Sequence, residues 1–240
     1  KDLNLDLDRT AGSGGSGGPP GARFPADLAF GFAAASDTVL LQGVPFTDFQ
    51  LEGLCRDQTV EVISWEARRS TGRLTGRLLA DYRQDPGGHL DFEVEGKEIP
   101  AEALLEPWVP DLGRRLECAL GLDLAGRCGL RDKATRLRTL DVAGQVTGSE
   151  GVLHAADWLH EVSAYLGARQ DLKDVDFAAL DHDFRYVQGR YLVEKLVLSG
   201  GQTDWRGQGW IVPGGILKVG LDVKLPPGFT PELGNFSFLA

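Results

Sequence analysis

The chain has 240 residues, enough to bury a core as one large or two small domains. Apolar residues make up 42% and charged residues 25%, the balance of a soluble globular protein. A net charge of −10, from 25 basic and 35 acidic side chains, argues against nucleic acid and anionic membrane surfaces as main partners. No apolar run approaches the ~20 residues of a membrane-spanning helix.

The sequence opens on Lys1 and contains no Met, which reads as a piece of a longer chain. KDLNLDLDRT alternates Leu3, Leu5 and Leu7 with Asn4, Asp6 and Asp8 and predicts a half-buried strand cut at its start. AGSGGSGGPPGA follows. It lacks the Lys and the helix of a phosphate-binding loop and reads as a flexible linker, so residues 1–21 form a truncated strand and a Gly-rich linker.

From Phe24 onward short alternating runs succeed one another: DLAFGFAAA, TVLLQGV, DFQLEGLC, TVEVISWEA and TGRLTGRLLADY. HLDFEVEG sets Leu90, Phe92 and Val94 against His89, Asp91, Glu93 and Glu95. IPAEALLEPWVP then predicts a helix near 100–109, with Pro100 at its start, Ala101, Leu104, Leu105 and Trp108 on one stripe, and Pro110 as its stop.

RLECALGLDLAGRCGLR, residues 115–131, is the clearest strand. Leu116, Cys118, Leu120, Leu122, Leu124, Gly126, Cys128 and Leu130 share one side; Arg115, Glu117, Asp123, Arg127 and Arg131 share the other. A strand of ~16 residues runs to ~50 Å, where the usual strand has ~5–6 residues. RLRTLDVAGQVTG reads as a further strand. LHAADWLHEVSAYLG predicts a second helix near 154–167, with Ala155, Leu159, Val162 and Leu166 at helical spacing and Gly167 as its end. DFRYVQGRYLVEKLVLSGG, TDWRGQGWIV and ILKVGLDVKLP resume the strands. In the last, Leu217, Val219, Leu221, Val223 and Leu225 oppose Lys218, Gly220, Asp222 and Lys224.

Two helices ~10 Å across cannot roof roughly ten strands spaced ~4.8 Å apart. The sheet must close on itself as a barrel or sandwich, or curl into a trough whose apolar inside meets an acyl chain or an adjoining repeat. Glycines inside strands (Gly76, Gly121, Gly126, Gly144, Gly207 and Gly209, with Gly189) permit strong bending. The expected fold is mostly β: a long, curled antiparallel sheet, forming a β-groove or a partly closed barrel or sandwich, with two short α-helices.

The ordered set TGRLTGRLLADY, HLDFEVEGKEIPAEALLEPW, the long strand, VAGQVTGSEGVLHAADWLHEVSAYLG and the closing run through Gly207, Gly209 and Pro226 resembles the C-terminal region of the AsmA family. The likeness covers most of residues 22–226 and makes this stretch one AsmA-like β domain, with 227–240 as a C-terminal tail. The resemblance implies a periplasmic domain of an inner-membrane-anchored protein of a diderm bacterium, its anchor absent from this chain. It also implies a role in outer-membrane biogenesis, related to TamB and to bridge-like lipid-transfer proteins. Implied partners are phospholipid acyl chains and other envelope proteins; no cofactor is implied.

Each methylene kept from water is worth ~0.8 kcal/mol, so a lipid tail needs a continuous apolar channel. The rows expected to line it are Leu90, Phe92 and Val94; Leu116, Leu120, Leu122 and Leu124; and Leu217, Val219, Leu221 and Val223. The rival readings are a scaffolding module with a closed dry core, in which Leu122→Asp would unfold the domain, and an enzyme acting on envelope glycans.

Little else carries chemistry. Cys55, Cys118 and Cys128 form no C-x-x-C pair, and Cys118 and Cys128 are too far apart along an extended strand for a disulfide. His154 and His160 share no helix face, and His89 and His182 complete no metal motif. Asp171, Asp174, Asp176, Asp181 and Asp183 lack the calcium-loop pattern and read as a solvated acidic turn. No serine lies in G-x-S-x-G. Trp65, Trp108, Trp158, Trp205 and Trp210 read as core or groove anchors rather than a sugar platform.

Overall fold

The computed structural model describes residues 3–5, 28–41, 43–83, 87–105, 109–154, 174–201, 203–212 and 215–224. Twelve strands form one sheet whose spatial order is their chain order. β1 (Leu3–Leu5) runs parallel to β2 (Phe30–Leu41). Each later strand pairs antiparallel with the one before it: β3 (Val44–Arg56), β4 (Thr59–Arg69), β5 (Gly72–Asp81), β6 (His89–Pro100) and β7 (Leu116–Gly129). The series continues through β8 (Asp141–His154), β9 (Asp174–Val187), β10 (Arg190–Ser199), β11 (Asp204–Ile211) and β12 (Leu217–Lys224). The sheet is not closed.

The period-two pattern explains these strands. Along β7, Leu116, Leu120, Leu122 and Cys128 are buried while Glu117, Ala119, Asp123, Ala125 and Arg127 are exposed. Tight turns join several neighbours. Asp57 and Gln58, with φ of 48° and 58°, turn β3 into β4, and Gln188 and Gly189, with φ of 52° and 74°, turn β9 into β10. Paired left-handed residues match the twist of the strands they join.

The sheet curls because it is bulged. Asp48, Glu98 and Glu150 have φ of 52°, 53° and 49° and sit where the registers of β3, β6 and β8 slip against their neighbours. A bulge bends its strand and tightens the local twist. All three lie toward the same end of the sheet, and that end holds the core. One buried cluster joins Leu116, Leu120, Val175, Phe177, Leu180, Leu198 and Trp205 to Ala101. The other joins Val39, Val44, Phe46, Phe49, Ala67, Leu74 and Ile99 to Ala103. Leu104 packs against both. These helical residues belong to α1 (Ala101–Leu105), which plugs the apolar face between the two halves of the sheet.

Several expectations need correction. α1 (Ala101–Leu105) falls within the helix expected near 100–109; residues 106–108 lie outside the described residues, and Pro110 opens the short turn α2 (Pro110–Gly113). Proline fits there because the N–H of a first helical residue has no partner inside the helix, so its absence costs nothing. The run RLRTLDVAGQVTG is not one strand. Its first half belongs to α3 (Lys133–Thr139), whose N-cap Asp132 accepts a 2.7 Å hydrogen bond from the Thr135 N–H, and β8 starts at Asp141. Among the described residues there are three short helices, α1, α2 and α3. The helix expected near 154–167 lies outside the described residues, except that His154 ends β8. The supposed acidic turn is the strand β9, with Asp176, Asp181 and Asp183 paired opposite residues of the polar face.

Candidate functional site

The strand registers place all eleven expected groove positions on one face. Leu90, Phe92 and Val94 pair with Cys128, Gly126 and Leu124, and Ile99 pairs with Leu120. Leu116 and Leu122 continue the row to Leu153 and Val146 of β8, and from there the registers carry the same face through His182 and Val175 of β9. On the far side, Leu217, Val219, Leu221 and Val223 pair with Ile211, Gly209, Gly207 and Trp205. The face is thus mostly apolar from β2 to β12.

It is not uniform along its length. Leu120 is 1% exposed and belongs with Leu116 to the plugged end, and Leu122 is also buried. Leu90, Phe92, Val94, Leu124, Val219 and Val223 are half-buried, and Leu221, on the edge strand β12, is 49% exposed. Away from α1, no helix covers this face among the described residues. The result, among the described residues, is an unclosed apolar face filled at one end by α1.

Its floor has a repeating construction that the sequence reading missed. Aromatic rings lie across glycines of the neighbouring strand. A Cβ placed on Gly53 would stand 2.2 Å from Phe32 Cζ, and one on Gly151 would stand 2.3 Å from Phe177 Cζ. Gly76 stands in the same relation to Trp65, Gly126 to Phe92 and Gly144 to Phe184. Each glycine leaves room for a ring to lie flat on the sheet instead of standing up into the trough. The cue was present in the sequence as glycines at inward strand positions, but which ring faces which glycine depends on the register.

One polar group interrupts the floor. His182 packs against Phe184 and Tyr191, with its Nε2 2.6 Å from the Tyr191 hydroxyl and its Nδ1 2.8 Å from the Lys195 carbonyl oxygen. Burial pushes the Tyr191 phenol well above its usual range, so it stays a neutral hydrogen-bonding group. Trp205 lies in the core with its Nε1 donating to Thr203 Oγ1, whereas the Arg190 guanidinium lies 5.8 Å over the Trp210 ring. Trp108 and Trp158 lie outside the described residues.

The opposite face is polar. On β2–β7 it forms an open concavity of about 940 Å³ lined by residues such as Glu52, Glu66, Arg73, Arg77, Glu93, Glu95 and Asp123. Arg77 grips Glu93 through two 2.7 Å hydrogen bonds and holds its carboxyl below the usual range. Hydrogen bonds from Arg83 hold Asp81 at about 2, and Arg185 and Lys195 lower Asp141 and Asp181. Every carboxylate displaced among the described residues is displaced downward, by hydrogen bonds from a cationic partner or, at Asp132, by those of a helix cap, and none is raised toward neutrality.

Cys55, Cys118 and Cys128 are all free, and burial pushes Cys118 up to about 11. No cluster of three metal-ligating side chains occurs among the described residues. Comparison with known proteins finds no matching family model, no similar curated protein and no similar solved structure.

Proposed function

We propose that this chain is a non-enzymatic, AsmA-like domain of the bacterial envelope whose apolar trough shelters phospholipid acyl chains, in transport or in outer-membrane assembly. On this reading it lies in the periplasm as part of a protein anchored in the inner membrane. One observation carries the proposal: an unclosed sheet presents a mostly apolar, half-buried face, of which α1 fills one end among the described residues. Phe92, Phe184 and Trp65 lie flat over glycines, so the floor stays smooth and apolar, as a sliding chain of methylenes requires.

The test is lipid extraction and native mass spectrometry of the purified protein, with titration of a fluorescent fatty-acid probe. Co-purifying phospholipid and saturable probe binding are expected. A lipid-free protein that leaves the probe unbound would overturn the proposal. The scaffolding alternative draws on the two buried clusters at the plugged end. It expects a folded protein indifferent to the probe and to polar substitution at Leu90.

A further inference from the structure

In a meander the connections alternate between the two ends of the sheet. Those after β3, β5, β7, β9 and β11 lie opposite the end plugged by α1. This second end is the mouth of the trough, and its composition departs from that of the whole chain. The β7–β8 connection, residues 130–140, carries Arg131, Lys133, Arg136 and Arg138 against the single acid Asp132. Asp132 is already engaged: it caps α3 and lies 3.8 Å from Arg131. Among the described residues no ion pair involves Arg136 or Arg138.

α3 is also unusual in burying none of its residues. Leu137, between the two arginines, is 53% exposed. Ile216, in the β11–β12 connection at the same end, is 66% exposed, and Phe30 at the start of β2, also at this end of the sheet, is 47% exposed. The plugged end exposes Val109 and Leu112 as well, but there the neighbouring charges include the acids Glu102 and Asp111. Apolar side chains set among cations that outnumber the local acids are the chemistry of a surface that rests on anionic headgroups and dips its apolar tips into the acyl boundary. The net charge of −10 hides this local excess of cations over residues 130–140.

We infer that the α3 rim docks the trough mouth on an anionic phospholipid bilayer, with Arg136 and Arg138 meeting phosphates and Leu137 entering the interface. The inference deepens the trough reading but stands on the rim's own composition.

The experiment is co-sedimentation of the whole 240-residue chain with vesicles of phosphatidylcholine, alone or with phosphatidylglycerol as a minor component. The protein is expected to partition onto the anionic vesicles and to be released by high salt. Arg136→Gln combined with Arg138→Gln should weaken partitioning about thirtyfold, at roughly one tenth to one fifth of the affinity retained per cation removed. Leu137→Ser should weaken it several-fold. Because α3 buries nothing, these variants should keep the parent's circular dichroism and thermal midpoint. A control at the plugged end, Lys97→Gln with Arg114→Gln, should leave partitioning unchanged. The inference is overturned by equal partitioning onto both vesicle types, by equal losses in rim and control variants, or by binding to soluble heparin without binding to vesicles. The fatty-acid probe separates the two readings: probe binding without vesicle binding sinks the rim alone, and vesicle binding without probe binding sinks the trough alone.

Discussion

Phe92 lies across Gly126 so closely that a Cβ on the glycine would stand 2.5 Å from the ring's Cζ and 2.9 Å from Val142 Cγ2. The obstructing atoms are side-chain tips, so the ring can tilt away, and the direction open to it is up into the trough. Gly126→Ala should therefore cost only about 1–2 kcal/mol in urea unfolding while sharply weakening the fatty-acid probe. Gly76 differs, because its added Cβ would also meet the Glu93 carbonyl oxygen at 2.4 Å, which is backbone. Gly76→Ala should destabilise more than Gly126→Ala. Equal stability losses with undisturbed probe binding would contradict the assigned role of the flat rings.

Leu120 and Leu90 share a face but not an environment. Leu120 is 1% exposed in the plug, and Leu90 is half-buried toward the mouth. Leu120→Ala should cost about 2–5 kcal/mol, as a cavity in a packed core does, and leave probe affinity nearly unchanged. Leu90→Ser should cost less than Leu120→Ala and reduce probe affinity more. Leu122, whose Cβ lies 3.1 Å from the position a Cβ on Gly96 would take, is too buried to discriminate between the readings: an Asp there would be costly in either. Parallel chemical denaturation and probe titration of Leu120→Ala and Leu90→Ser decide the assignment.

The strands were legible because each carries a period-two pattern that only one face can bury. That is why Leu90, Leu120 and Val219 were assigned to a common surface from sequence. The helical segment and its apolar stripe through Ala101 and Leu104 were legible, but its place as a plug between two clusters was not, because that depends on how strands bulged at Glu98 and Glu150 set the long-range packing. Acidic residues in left-handed backbone give no strong local signal. The α3 rim was missed for a related reason: Arg136, Leu137 and Arg138 alternate closely enough to read as the start of the strand that follows, and only the cap at Asp132 marks a helix.

Asp81 is a buried carboxylate that accepts hydrogen bonds from the Arg83 N–H, Nε and Nη2. These hold its pKa at about 2, below the ordinary 3.8. A depressed folded value stabilises the protein above the unfolded value and is lost as pH falls through the folded one. The stabilisation should be complete above about pH 4 and disappear toward pH 2. Arg83 is largely exposed, which reduces the effect to about 1–2 kcal/mol. Acid titration of the parent and of Asp81→Asn, followed by circular dichroism, should show the variant less stable near neutrality and the two converging near pH 2. A constant gap down to pH 2 would mean the carboxylate is not held as described.

His154 gives the opposite sign. At the end of β8 its ring nitrogens lie 3.1 Å from Asp174 and 3.1 Å from Glu117, joining β7, β8 and β9 at the plugged end. The hydrogen bond with Asp174, then that with Glu117, raises its pKa above 6.5. A raised folded value stabilises fully below the unfolded value and is lost as pH climbs through the folded one. The protein should thus be most secure here below about pH 6.5 and loosen toward pH 8. The imidazole is well exposed, so solvent screening limits the change to at most about 1 kcal/mol. Urea midpoints should fall between about pH 6 and pH 8 in the parent and stay flat in His154→Gln. Because the ends of β8 and β9 flank the connection at residues 155–173, amide hydrogen exchange at Leu153 and Val175 should rise over the same interval. Exchange that ignores pH beyond its intrinsic base catalysis would show that this clasp does not restrain the strand ends.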